Sequence, residues 1–298
     1  MRPLLLVFLA LFTLNVATGT ARGGDFEPCS DLETPLPQQK GGLCIYPGDQ
    51  DGDVLYYLHG KDGDAKTWGG NAWWSQQIRD WWKANGQPAP TIISVSLGAI
   101  WLLGPKTTAP AGFGLLDYFT GNLLPEIEKK IGGIKGRRLL LGDSMGGFNA
   151  IQLGMKTDLF EKVAALCAPI TDGSIGPWAS DEEITAYVRK STAVRSGKND
   201  FETVFGNLKM VQMVAGFFWN DQKEWEPSDP LVMVKNMRAP RAAKWYLAAG
   251  YHDHYAAYEG NEAFATALKA TGTSVEWRPQ WGGHCAVDVP SLADFLTK

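Results

Sequence analysis

Residues 137–149 read Arg-Arg-Leu-Leu-Leu-Gly-Asp-Ser-Met-Gly-Gly-Phe-Asn, an apolar run that meets a glycine-flanked serine and continues into an amphipathic segment. The pattern predicts a buried strand, a sharp turn and a helix, with Ser144 at the turn. A turn that lifts a serine above a sheet strains its backbone, and glycines two residues to either side avoid collisions with neighbouring chain. The helix would direct its N-terminal amides at the serine, where they can stabilise negative charge.

The chain contains 34 glycines, so this pentapeptide could also be an ordinary glycine-rich loop with an idle serine. A later acid and histidine, each following a strand, would favour the first interpretation. Residues 242–250 have the composition of a buried strand, and Asp253 follows them. After a helical segment and a second strand-like segment, 273–278, comes His284. Because parallel strands end at one edge of a sheet, Ser144, Asp253 and His284 are expected to meet there.

These residue types fit nucleophilic acyl chemistry. The hydroxyl of Ser144 needs a base to take its proton, and His284 is of the residue type that can both accept a proton and return it to a leaving group. Asp253 would hold the useful tautomer of the imidazole and stabilise its charged form. The alternatives are a loop histidine after a Gly-Gly turn and an aspartate that caps a helix. Asp229 and Glu259 are weaker candidates for the acid, because neither directly follows a predicted core strand.

A second apolar run, residues 55–58, ends in His59, Gly60 and Lys61. In folds with a nucleophile turn of this kind, a loop at this place supplies the second hydrogen-bond donor to an oxyanion. We therefore expect the backbone N–H groups of Lys61 and Met145 to form the oxyanion hole. His59 is then expected to brace the loop rather than to act as a base.

Taken together, the His-Gly loop, Gly-Asp-Ser-Met-Gly-Gly, the Gly-x-x-Asp turn followed by Asn261 and Phe264, and Gly-Gly-His resemble one group of α/β-hydrolases. This group is the esterase family of S-formylglutathione hydrolases, feruloyl-type esterases and mycolyltransferases. The resemblance covers roughly residues 53–298 in order and spacing, and is strong at the motifs and weak between them. Asp143 before the serine and Cys285 after the histidine depart from the commonest family residues.

The resemblance implies a mostly parallel central sheet flanked by helices. It also implies a serine esterase that hydrolyses a carboxylic or thio ester through an acyl-enzyme on Ser144, without metal or cofactor. Acyl transfer to another acceptor and peptide hydrolysis are alternatives within the fold, and a non-catalytic binding protein on a hydrolase scaffold is the alternative from another class. The expected substrate is a small-molecule or glycan-borne ester. A net charge of −4 argues against nucleic-acid or anionic-membrane partners.

The first residues have the features of a signal peptide. Arg2 precedes an almost wholly apolar run from Pro3 to Val16, and small residues follow, so cleavage is expected after residues 1–21. An uncleaved membrane anchor is the alternative. The mature chain, 22–298, is then predicted to be one secreted or periplasmic domain.

Residues 171–237 lack strand-like runs and are predicted to form a cap inserted above the sheet. Within them, helical patterns cover 181–190, 201–205 and 210–218. The strand pattern resumes only after this region.

Export makes the four cysteines informative. Cys29 and Cys44 flank a polar, proline-containing loop and are predicted to form a disulfide. Cys167 ends a predicted strand and Cys285 follows the histidine. These two either form a second bridge that braces the histidine loop or leave Cys167 as a buried thiol, and the sequence leaves both open.

Four of the 12 tryptophans lie in predicted loops or in the predicted cap, namely Trp68, Trp101, Trp178 and Trp219. There they could stack on sugar or aromatic acyl groups of a substrate. The alternative is that they pack within the protein, as most tryptophans do.

Two segments resemble metal sites without meeting their requirements. Residues 49–53 resemble a calcium loop, but the glycine is misplaced and the final glutamate is missing. Residues 252–254 read His-Asp-His, but such alternating neighbours rarely converge on one ion. The sequence therefore predicts neither a metal nor a cofactor.

Overall fold

The apolar runs of the sequence form the strands of one sheet in the computed structural model, which describes residues 29–36, 39–49, 52–70, 73–106 and 114–298. The predicted signal peptide, residues 1–21, lies outside these ranges. The strands within them are β1 (Cys29–Leu32), β2 (Gly41–Tyr46), β3 (Val54–Leu58), β4 (Thr91–Ser96), β5 (Arg138–Asp143), β6 (Lys162–Leu166), β7 (Lys244–Gly250) and β8 (Val275–Gln280).

Helices connect most of these strands. They are α1 (Thr67–Gly70), α2 (Trp73–Ala84), α3 (Leu115–Tyr118), α4 (Leu124–Lys130), α5 (Met145–Lys156), α6 (Asp181–Lys190), α7 (Thr192–Arg195), α8 (Phe201–Phe218), α9 (Gln222–Trp225), α10 (Pro230–Lys235), α11 (Tyr258–Ala270) and α12 (Val289–Thr297). A π-helical turn, Phe119–Leu123, joins α3 to α4. None of the helices in the described part of the chain combines the length and apolar character needed to cross a lipid bilayer.

The strands pair in the order β1-β2-β4-β3-β5-β6-β7-β8. Pairing is parallel from β4 to β8, whereas β2 is antiparallel to β4 and β1 is antiparallel to β2. This mostly parallel sheet has the predicted architecture. Its parallel strands end at one edge, so the segments after β3, β5, β7 and β8 lie there together.

Apolar side chains cover both faces of the sheet, because successive residues of a strand point to opposite sides. Tyr56 of β3 belongs to the apolar cluster that contains Phe148 of α5. The next residue, Tyr57, belongs to the cluster that contains Trp82 of α2. Helices therefore flank the sheet on both faces.

Residues 171–237 contain α6 to α10 and no strand. The prediction of separate helices over 201–205 and 210–218 was wrong, because these residues form the single helix α8. Gly206 lies on the exposed side of α8 with open space around it. A glycine there weakens a helix by only about 1 kcal/mol, so neighbouring contacts can carry the helix through it.

Two disulfides connect the four cysteines. Cys29 is bonded to Cys44, its register partner across β1 and β2, as predicted. Cys167, directly after β6, is bonded to Cys285. The alternative left open by the sequence, a free thiol at Cys167, is therefore wrong.

Candidate active site

Ser144 lies in the sharp turn between β5 and α5, with φ +52° and ψ −117°. Few side-chain-bearing residues adopt a positive φ, so the surrounding structure must hold this turn. A Cβ added at Gly146 would lie 1.9 Å from the Leu58 carbonyl oxygen, and one at Gly142 would lie 2.0 Å from the Gly146 oxygen. The glycines are therefore required for the close approach of backbone segments that positions the serine.

The structure brings the three predicted side chains together. Nε2 of His284 lies 2.8 Å from Oγ of Ser144, and Nδ1 of His284 lies 2.8 Å from Oδ2 of Asp253. The other oxygen of Asp253 accepts a 2.8 Å hydrogen bond from the Tyr255 amide, and the aspartate is only 1% exposed. An imidazole bonded to a buried carboxylate on one side and to a hydroxyl on the other can relay a proton to and from that hydroxyl.

The two weaker candidates for the acid are engaged elsewhere. Asp229 caps the N-terminus of α10 and accepts a 2.9 Å hydrogen bond from the Leu231 amide. Glu259 accepts a 2.5 Å hydrogen bond from the Thr192 amide. The carboxylate that His284 contacts through Nδ1 is that of Asp253.

The segment that carries His284 lies against the end of β7. The amide of His252 donates a 2.8 Å hydrogen bond to the Gly282 carbonyl oxygen. A Cβ on Gly250 would lie 2.0 Å from the carbonyl oxygen of Gly283, so β7 must end in glycine for this approach. The histidine is thus positioned by main-chain contacts between two neighbouring strand ends.

The loop after β3 is a tight turn. Gly63 donates its N–H to the Gly60 carbonyl at 3.1 Å, and Asp62 has φ +64°. A positive φ at the third residue of a four-residue turn, without one at the second, is typical of a type II turn. Lys61 therefore occupies the second position of the turn.

His59 braces this turn from the buried side. Nδ1 lies 2.7 Å from the Gly60 oxygen and Nε2 lies 2.8 Å from Oγ of Ser96. The imidazole is fully buried, and burial lowers the pKa of His59, so the neutral form is favoured. It contacts the loop rather than the hydroxyl of Ser144, in the manner expected of a brace.

Asp143 links the serine turn to the same loop, a role that the sequence analysis missed. Its Oδ1 accepts a 2.7 Å hydrogen bond from the Tyr57 hydroxyl. Desolvation by the surrounding protein raises the pKa of Asp143 to about 6, although hydrogen bonds from Tyr57 and the Gly60 amide and the nearby His284 act in the opposite direction. The adjacency of this acid to the nucleophile turn was visible in the sequence, but its hydroxyl partner was not.

A cavity of about 950 Å³, including its open mouth, begins beside Ser144. Lys61 and Met145, the residues predicted to supply the oxyanion hole, line it next to the serine. The rest of its wall is largely apolar and comes from α5, from the segment after β6 and from α8, together with Trp225 and Tyr255. Neither of these two aromatic residues was predicted from the sequence.

The structure corrects the expectation for three of the four predicted substrate-binding tryptophans. Trp68, Trp101 and Trp219 are completely buried, and none of them lines the cavity. Trp68 packs against other aromatic rings on the face of the sheet that α2 covers, which is opposite to the face covered by α5. Trp219 packs against Phe148 of α5. Trp178 is 38% exposed and follows a cavity-lining proline, although it does not itself line the cavity.

One group of potential metal-ligand atoms in the described part of the chain consists of Cys167, His284 and Cys285, within 4.8 Å of one another. Metal ligation by cysteine requires a thiolate. The disulfide between the two cysteines removes both thiolates, so these residues do not fit a metal site.

The sheet, the glycine-flanked serine turn and the helices on both faces define an α/β-hydrolase. The model of the esterase family matches residues 37–281, so the chain belongs to this family of carboxylic ester hydrolases. No curated protein matches the sequence. Among solved structures, the chain is similar to a ferulic acid esterase, with 19% identity, a TM-score of 0.56 and coverage of 90% of this chain and 96% of the other. It is also similar to the S-formylglutathione hydrolase of Agrobacterium tumefaciens, with 14% identity, a TM-score of 0.57 and coverage of 89% and 91%. At these identities the likeness concerns the fold.

Proposed function

We propose that this protein is an exported serine esterase that hydrolyses a carboxylic or thio ester through an acyl-enzyme on Ser144. The observation that carries the proposal is the chain of two 2.8 Å contacts from Asp253 through His284 to the serine hydroxyl. Family membership supports the reaction class, and this geometry supports the choice of residues.

In the proposed first step, the Ser144 oxygen attacks the ester carbonyl carbon while Nε2 of His284 takes the hydroxyl proton. The carbonyl oxygen becomes an oxyanion, which the backbone N–H groups of Lys61 and Met145 stabilise. Asp253 accepts the Nδ1–H of His284 and stabilises the imidazolium. The imidazolium then protonates the departing alcohol or thiol, and the acyl group remains on the serine.

Water completes the proposed cycle. His284 takes a proton from a water molecule as its oxygen attacks the acyl-enzyme carbonyl, and the oxyanion hole is used again. Collapse of the second tetrahedral intermediate breaks the bond to Ser144, and His284 returns the proton to the serine oxygen. The acid is released and the free enzyme is restored.

Two lines of reasoning support export. Residues 1–21 have the pattern of a cleavable signal peptide, and both pairs of cysteines lie at disulfide distance. Disulfides persist in oxidising compartments, so a secreted or periplasmic location follows for the proposed mature chain.

We place the catalytic groups and the cap in one domain, residues 22–298. The region 171–237 supplies α8, which lines the cavity that begins beside Ser144. A cap in this position would shield the acyl-enzyme from bulk water and select the acyl group.

The proposal is tested by labelling the purified protein with a fluorophosphonate probe and by measuring release of nitrophenol from short acyl esters. The intact mass of the wild type should show one probe adduct, and the wild type should hydrolyse the ester. Ser144→Ala should lose both signals, whereas Ser274→Ala, which changes an exposed serine far along the chain, should keep both. A wild type that reacts with neither reagent would support a non-catalytic binding protein instead.

A further inference from the structure

Several polar side chains in the lining of the cavity beside Ser144 already have hydrogen-bond partners, whereas the buried indole N–H of Trp225 has none. The Thr171 hydroxyl donates to the Ile175 carbonyl at 2.6 Å, and the Gln212 side-chain amide donates to the Ala179 carbonyl at 2.9 Å. The Asp229 carboxylate is occupied in capping α10. A charged group buried here would lose its hydration while Thr171, Gln212 and Asp229 are already engaged, which is unfavourable.

Part of the apolar wall comes from α8. Leu208, Val211 and Ala215 are spaced three and four residues apart and line the cavity. This spacing places them in a row along the helix axis.

The geometry of the proposed reaction assigns this cavity to the acyl side of the ester. The leaving group must receive a proton from Nε2 of His284 and so must lie beside the imidazole. The cavity is lined by Ser144, Lys61 and Met145, but not by His284. Tyr255 lines it and contacts the His284 ring at a centroid distance of 4.5 Å, which places that tyrosine between the two sides.

We propose that the preferred substrates are esters of uncharged, aliphatic acids of medium chain length, and that the α8 residues Leu208, Val211 and Ala215 set the upper limit of that length. This inference rests on the proposed serine esterase function. From Leu208 to Ala215 the helix rises about 10 Å, the extended length of an acyl chain of about eight carbons. The acyl chain lies along this row while the alcohol or thiol faces His284.

The expected rise in kcat/KM with chain length follows from burial of the acyl chain in the cavity. Each added methylene that leaves water contributes about 0.8 kcal/mol, which corresponds to about a fourfold rise in kcat/KM while the chain still fits.

The test measures kcat/KM for nitrophenyl esters from acetate to decanoate, with Val211→Trp and Met213→Trp as a matched pair. The wild type should improve steadily from acetate and peak near the octanoate. Val211→Trp places a ring in the cavity and should move the peak to the butyrate, with acetate turnover kept within about threefold. Met213 is 57% exposed on the other side of α8, so Met213→Trp should keep the wild-type profile.

Three results would overturn the inference: a peak at acetate, an equal effect of Val211→Trp on every chain length, or faster turnover of methyl ferulate than of methyl octanoate. In each of these cases the enzyme still hydrolyses esters and reacts with the fluorophosphonate probe, so the proposed function stands. Absence of both hydrolysis and labelling would instead refute the proposed function itself.

Discussion

Cys285, the residue directly after His284, is disulfide-bonded to Cys167, the residue directly after β6. Strand β6 is the neighbour of β5, which ends at the nucleophile turn, so the bridge ties the histidine segment to the strand next to Ser144. Both cysteines have a positive φ, 45° and 56°. A covalent tie at this point limits how far the imidazole can move from the serine hydroxyl.

Removing this bridge should affect both stability and turnover. The double variant Cys167→Ala/Cys285→Ala should lose about 2–4 kcal/mol of unfolding free energy, because the bridge closes a long loop in the unfolded chain. It should also lower kcat, since the histidine segment loses its tie to the sheet. Urea denaturation and ester kinetics measure the two effects.

The Cys29–Cys44 bridge provides the control, because it joins the edge strands β1 and β2. Cys29→Ala/Cys44→Ala should be less stable but should keep the wild-type kcat below its unfolding transition. Equal kcat in the two double variants would contradict a positioning role for the bridge to Cys285.

Lys61→Pro should remove one donor of the proposed oxyanion hole without breaking the loop. Proline is favoured at the second position of a type II turn, and it has no N–H. The loss of one such donor costs about 10²–10³ in kcat.

Lys61→Ala is the matched control, because it removes the ammonium group and retains the amide. Because the backbone N–H donor remains, this variant should keep kcat within about threefold of the wild type. If both variants lose activity equally, the side chain of Lys61 matters instead of its backbone N–H.

Asp253→Asn should reduce kcat by about 10⁴, because the amide group cannot hold His284 in the tautomer that accepts the serine proton. Glu259→Gln is the control, since that carboxylate is bonded to the Thr192 amide. Steady-state kinetics on a nitrophenyl ester measures kcat for both variants, and Glu259→Gln should stay close to the wild type. A similar loss in both variants would contradict the assignment of Asp253 as the acid.

Asp143 should make folding stability depend on pH. Its pKa is raised to about 6 in the folded protein by desolvation, from an ordinary value of 3.8. The folded state therefore holds this proton more tightly than the unfolded state, and stability falls as pH rises from about 4 through 6. Asp143→Asn does not titrate, so its stability relative to the wild type should increase over this range by up to about 3 kcal/mol.

Urea denaturation at pH 4 and pH 8 checks this expectation. Asp31→Asn, which removes a carboxylate at an exposed position of β1, serves as the matched control. A stability difference between Asp143→Asn and the wild type that is the same at both pH values would contradict it.

The elements that the sequence predicted well are those specified by local patterns. The strand–turn–helix at Ser144 and the acid and histidine after later strands are each marked within a few residues. Chain order together with the parallel-sheet rule was then enough to expect them at one edge.

The elements that the sequence did not predict depend on contacts between distant segments. Trp101 lies in a loop, but it packs beside His59 and Phe119 and is buried, which the local sequence does not reveal. The partner of Cys167 could not be chosen because spacing alone does not fix disulfide connectivity. Trp225 lines the cavity only because of how the helices of 171–237 fold over the serine.

Helix α8 lies far along the chain from the residues that carry the proposed chemistry, which sit on short segments at the strand ends. A library of variants restricted to the inner row of this one helix would therefore vary the wall of the cavity while leaving the proposed catalytic residues unchanged. Acyl selectivity can therefore be altered in this protein without substituting any of the proposed catalytic residues.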